Sequence, residues 1–101
     1  MMQKVTLNDK LIWDESVDPT RVVASYEILL GKKEGGPYPT VREVGLVHKK
    51  TIKDLQIEPG IYFAVIRACD NRGSKSEFSK ELSFELLYQL ISSPKNFKVA
   101  L

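Results

Sequence analysis

The sequence predicts an all-β sandwich of seven strands in two antiparallel sheets, and three observations lead there. Residues 61–86, IYFAVIRACDNRGSKSEFSKELSFEL, place two alternating, apolar-rich segments on either side of a polar turn, Asp70-Asn71-Arg72-Gly73-Ser74-Lys75-Ser76. A β-hairpin of this kind has an apolar face that cannot be buried alone, so it demands a partner sheet. Further strand-like segments recur at intervals of about 10–15 residues, separated by turn chemistry. No segment of helical length repeats apolar residues at three- and four-residue spacing with a recognisable cap.

Each element can be justified in order. Val5 and Leu7 alternate before an Asn8-Asp9 turn, and Leu11 and Trp13 alternate after it. Residues 14–20 form a polar loop in which Pro19 blocks continuation of a strand. Residues 22–30 are a strong strand, with Ala24, Tyr26, Ile28 and Leu30 on one face. The stretch 31–39, GKKEGGPYP, holds three glycines and two prolines and reads as a loop. Residues 41–44 are a short edge strand, and residues 51–55 another, ended by Glu58-Pro59-Gly60. In the hairpin, Tyr62, Ala64, Ile66 and Ala68 point one way and Ile61, Phe63, Val65 and Arg67 the other. Leu82, Phe84 and Leu86 form the inward set of the last strand, and two inner faces packed together give a core about 10 Å thick.

A chain of 101 residues has room for one such core. With 43% hydrophobic and 28% charged residues it has an ordinary globular composition. The formal charge of +2 arises from dispersed side chains, and Lys32-Lys33 and His48-Lys49-Lys50 are the densest basic groups. Both read as solvated loops, so no nucleic-acid partner is expected. Cys69 is the single cysteine, which excludes an intrachain disulfide. MMQKVTLNDKLIW lacks the apolar run of a secretory signal, and no window has the roughly 18 apolar residues of a membrane span. The expectation is cytoplasmic synthesis with no membrane partner, or an extracellular setting if the chain is excised from a longer protein.

Taken together, residues 5–86 resemble the fibronectin type III family, particularly its bacterial and phage forms. The resemblance rests on KLIWDESVDP, whose tryptophan falls on the second strand, and on VASYEILLG, which looks like the third. TIKDLQIEPGIYFAVIRACDNRGSKSEFSKEL then looks like the fifth to seventh strands with their connections. The family implies an immunoglobulin-like sandwich over residues 1–88. Trp13 would be the largest core side chain, against Tyr26, Ile28 and Ile66. Tyr62 looks like the family's tyrosine corner, its hydroxyl bonding back to the backbone of the preceding turn. Leu55 to Tyr62 is one residue longer than the family's usual spacing, so either the turn bulges or Ile57 takes the leucine's place.

Chemistry-bearing motifs are few. Integrin-binding members of the family carry Arg-Gly-Asp in the last loop. Arg72-Gly73-Ser74 lacks that carboxylate, and Gly73 reads as a positive-φ turn residue. One histidine, His48, and one cysteine cannot make a zinc site. Cys69 has no adjacent activator. Asp14, Glu15 and Asp18 share a loop without the ligand spacing of a calcium site. Neither a phosphate loop nor a serine elbow occurs. The expectation is a non-catalytic protein without cofactor or metal.

Two features point to association. Val23, Leu29, Phe63 and Val65 fall on the outward parity of the sheet containing the third and sixth strands, where a solvated face would read polar. They form either an interface or a surface covered by loops or tail. Residues 89–101 extend beyond the sandwich as an assembly arm or the start of a further element. Ser92-Ser93-Pro94 breaks the strand, and Phe97, Val99 and Leu101 then alternate. With Leu87, Tyr88 and Leu90, these complete the candidate interface residues. The expected function is a structural, protein-protein interaction module, self-associating or bound to a protein partner within a larger assembly such as a phage virion (decoration, fibre or tail accessory). The alternative is a spacer or carbohydrate-contacting module from a secreted glycoside-degrading enzyme or adhesin, using Tyr38, Tyr88 and the 31–39 loop.

Overall fold

A computed structural model of the chain describes residues 2–16, 21–88 and 94–101. Its elements are β1 (Gln3–Val5), β2 (Lys10–Ile12), β3 (Val23–Gly31), β4 (Thr40–Gly45), β5 (Lys49–Thr51), a 3₁₀ turn (Lys53–Leu55), β6 (Gly60–Asp70) and β7 (Leu82–Leu86). They form a five-stranded sheet in the order β1-β7-β6-β3-β4 and a two-stranded sheet of β2 and β5. The all-β, two-sheet expectation is met. The expectation of purely antiparallel sheets is not, because β1 runs parallel to β7, Val5 opposite Leu86. The turn after β1 is closed by the Asp9 carboxylate, which accepts the Thr6 N–H at 2.7 Å. It carries the chain from one sheet to the other, so β1 is left beside β7 and not beside β2.

The strand expected over residues 51–55 is also corrected. β5 ends at Thr51, and Ile52 and Leu55 are both fully buried. Residues three apart in a strand point to opposite faces, whereas one turn of 3₁₀ helix turns both toward the core. Gln56, at φ 53°, ends that turn.

The inner face follows the predicted parity except at Ala24, which is exposed, and Leu82, which is 45% exposed. Tyr26, Ile28, Leu30, Tyr62, Ala64, Ala68, Phe84 and Leu86 are buried in one cluster with Val5, Val44, Ile52 and Leu55. Tyr62 stacks on Phe84 with ring centroids 5.7 Å apart, and its hydroxyl donates to the Glu58 carbonyl at 2.6 Å. Trp13 is only partly buried, packing edge-to-face against Tyr26 at 5.9 Å. The expectation that Trp13 dominates the core is corrected: β2 ends at Ile12, and the indole lies at the rim of the sandwich while Phe84 occupies its centre.

Phe84→Ala is therefore expected to cost about 3–5 kcal/mol in urea unfolding, the range for a buried aromatic. Trp13→Ala should cost less, about 1–3 kcal/mol, because part of that ring is already in water. A larger loss at Trp13 than at Phe84 would contradict this placement of the core.

Candidate interaction surfaces

β3 lies between β4 and β6, and from Tyr26 to Gly31 it is buried on both of its faces. Its second face has its own cover. Leu29 and Val65, paired across β3 and β6, are only 6% and 4% exposed, and Phe63 is half-buried. Of the two alternatives, interface or covered surface, Leu29 and Val65 follow the second, and they are corrected as interface candidates. Val23 is corrected for a different reason. A β-bulge between Val23 and Ser25 shifts the register, so Val23 packs against the inner core.

Two loops provide the cover. Residues 31–39 fold back on the end of β3, where a Cβ at Gly31 would collide with the Pro37 carbonyl oxygen. Residues 76–79 run along the half of β6 that β7 does not reach. The Ser76 and Ser79 N–H groups donate to the Ala68 and Ile66 carbonyls at 2.9 Å. The two serine hydroxyls accept the Ala68 and Ile66 N–H groups at 2.9 and 3.0 Å, taking the role of strand carbonyls. The loops meet at Glu81, whose carboxylate accepts the Gly35 N–H at 2.8 Å and the Tyr38 hydroxyl. That hydrogen bond raises the Tyr38 hydroxyl above its usual pKa. Phe78 packs edge-to-face on Tyr38 at 5.7 Å and sits under the Arg67 guanidinium.

Beneath this cover Glu27 is 6% exposed and faces Arg67 across the strands. Its carboxylate accepts from Arg67 Nε at 2.5 Å, and Lys75 Nζ lies 3.0 Å from both oxygens. Burial alone would push its pKa up, but the hydrogen bonds and charges of Lys75 and Arg67 outweigh burial and hold it below 4.5. Asp70 organises the adjoining turn, accepting from the Arg72 and Ser74 N–H groups at 2.9 and 2.8 Å, with Gly73 at φ 86°.

On the opposite flank the sandwich is open. Leu11 and Trp13 on one side, and Ile28, Ala64, Ile66 and Leu82 on the other, line an apolar cleft of about 280 Å³ that Ile12, Val65, Ser79 and Lys80 also border. That is at the bottom of the range of roughly 300–1,000 Å³ for small-molecule sites, and Lys80 is its one ionisable lining group. Above it runs the outer edge of β2. Trp13 donates to His48 and Ile52 donates to Asp9, so alternate residues of β2 face β5. The N–H and C=O groups of Lys10 and Ile12 therefore point outward, and no described strand pairs with them. Ile12 and Leu82 are 78% and 45% exposed, and Trp13 Nε1 is enclosed without a hydrogen-bond partner among the described residues.

The remaining candidates are dispersed. Leu87 is half-buried, Tyr88 is exposed, and Phe97, Val99 and Leu101 are almost wholly exposed in a segment that joins no strand. Leu90 and Asp18 lie outside the described residues. His48, Asp14 and Glu15 are exposed and Cys69 is partly buried. Among the described residues no three metal-binding side chains converge, and no helix is long and apolar enough to cross a membrane. Sequence reasoning missed the β2 edge and the Glu27 site. The second had a signal: a glutamate between apolar neighbours in a strong strand, with an arginine on the matching parity of another.

Comparison with family models, curated proteins and solved structures finds no match to this chain.

Glu27 gives a pH prediction. Its carboxyl binds protons more weakly folded than unfolded, so its stabilisation is complete well above pH 4.5 and is lost as the pH falls through the lower folded value. Glu27→Gln should lower neutral-pH stability by about 1–3 kcal/mol, less than a fully buried pair because solvent reaches Lys75 and Arg67. Melting temperatures across the acid range should also fall less steeply in this variant than in the parent chain. Parallel curves would remove Glu27 from the account.

Proposed function

We propose that the chain is a non-catalytic protein-protein interaction module of the fibronectin type III kind, acting as an accessory component of a larger assembly. The observation behind this reading is the combination of a β2 edge that no described strand pairs with, carrying the exposed Ile12, with the exposed Phe97, Val99 and Leu101. Exposed apolar surface and open strand edges are what folded chains ordinarily suppress, and where retained they mark association.

The fold reading is supported by the sheet partition, with β3, β4, β6 and β7 in one sheet and β2 and β5 in the other. It is further supported by the Tyr62 hydroxyl bonding back to Glu58 and by Trp13 beside Tyr26. The long spacing before Tyr62 is compatible with this reading, since Leu55 is buried in the 3₁₀ turn and Gln56 follows it in a left-handed conformation. A phage virion is the assembly that the resemblance suggests. Carbohydrate contact is the weaker reading, because Tyr38 is bound to Glu81 and packed on Phe78, which leaves only Tyr88 with a largely exposed ring.

Sedimentation and electron microscopy of the chain, alone and co-produced with the proteins encoded beside it, test the proposal. A defined oligomer or a complex of fixed stoichiometry is expected. A chain that remains monomeric at high concentration, and alone in every mixture, would overturn it.

A further inference from the structure

Four strands end the two sheets, and three of these edges are poor templates. β1 buries Val5, and its two exposed residues, Gln3 and Lys4, are polar. β4 is tied to the 3₁₀ turn by Arg42, whose guanidinium donates to the Leu55 and Gln56 carbonyls at 2.7 and 3.4 Å. β5 presents Lys49 and Lys50, the charged residues that discourage edge pairing. The β2 edge combines outward backbone groups with an apolar cleft directly beside it. A two-stranded sheet is also the least self-sufficient part of a sandwich, and a third strand would complete it.

The chain contains a segment of matching chemistry. In residues 94–101 every residue is exposed, and Phe97, Val99 and Leu101 share one strand parity while Lys98 and Ala100 take the other. Extended, residues 97–101 span roughly 13 Å, enough to cover the free edge of β2 from Lys10 to Ile12, roughly 7 Å long, and to continue past Trp13. An edge-added strand would turn its three apolar side chains into the cleft and leave Lys98 in water. In this structure both surfaces are exposed on the same molecule, so a neighbouring copy is the occupant that satisfies both. Reciprocal exchange of two such segments would bury on the order of 1,000–1,500 Å², near the size of a stable protein interface.

We propose that residues 97–101 of one copy add as a strand to the free edge of β2 in a second copy, seating Phe97, Val99 and Leu101 in the apolar cleft. This rests on the association reading and names the partner as the chain itself. Exchange closes into a dimer when reciprocal and propagates into longer chains when sequential.

Complementation between two variants of the 101-residue chain tests it, with folding of each checked by circular dichroism and melting. Phe97→Asp with Val99→Asp disables the donor segment. Ile12→Pro removes an outward N–H of β2 while leaving the bonds to β5 intact, since proline is tolerated where a strand N–H faces solvent. Leu82→Glu blocks the cleft mouth by an independent route. In sedimentation velocity the parent chain is expected to associate, and each variant alone to dissociate at least about tenfold more readily. An equimolar mixture of donor-defective and acceptor-defective chains should recover a 1:1 pair, because one intact segment and one intact cleft remain. A monomeric parent chain overturns the proposal, as does a mixture without recovery. An oligomer that survives all of these substitutions overturns strand exchange while leaving the association reading in place.

Discussion

The two-sided burial of β3 is the constraint on which the rest of the structure depends. A central strand that is apolar toward both faces needs cover on both. One cover is the two-stranded sheet with the 3₁₀ turn, which meets Tyr26, Ile28 and Leu30. On the other side Leu29 and Val65 are also buried, and there the loops 31–39 and 76–81 are joined to each other through Glu81, Tyr38 and Phe78. Glu27 is placed so that this second cover has an electrostatic anchor, since its buried charge is tolerable only while Arg67 and Lys75 reach it. Loops that elsewhere serve as variable surface are here structural parts.

With the second face closed, surface for association lies elsewhere. The two-stranded sheet covers the inner face incompletely, and the shortfall appears at the β2 edge as an open cleft and unpaired backbone. Exposed apolar residues are found at several places on the surface, and Ile12 and Leu82 lie beside that edge while Phe97, Val99 and Leu101 are among the most exposed. A binding role follows from the geometry of incompleteness: the same core that holds the fold together is open to solvent along one flank.

Much of the fold was legible because strand parity is a local property. Tyr62, Ala64, Phe84 and Leu86 announce their face by alternation, β4 sits at an edge as its length and flanking loops imply, and Gly73 occupies the positive-φ turn position that its neighbours suggest. What escaped depends on non-local or sub-residue detail. The bulge that turns Val23 inward inserts one residue that no pattern marks. Ile52 and Leu55 look like strand residues until both are found on one side of a 3₁₀ turn. Glu27 is neutralised by residues 40 and 48 positions away. The apolar segment after Pro94 was legible, but its acceptor was not, because an open edge is a property of topology and not of sequence.

Hydrogen exchange of individual backbone amides, followed over a range of protein concentration, tests the central claim most directly. Amides within β3 and β6 should be protected at every concentration, because the chain itself covers both faces of that sheet. Those of Lys10 and Ile12 should exchange freely in dilute solution and become protected as copies associate. Concentration-dependent protection in residues 63–65, with Lys10 and Ile12 exchanging freely throughout, would contradict the account and return the interface to the second face.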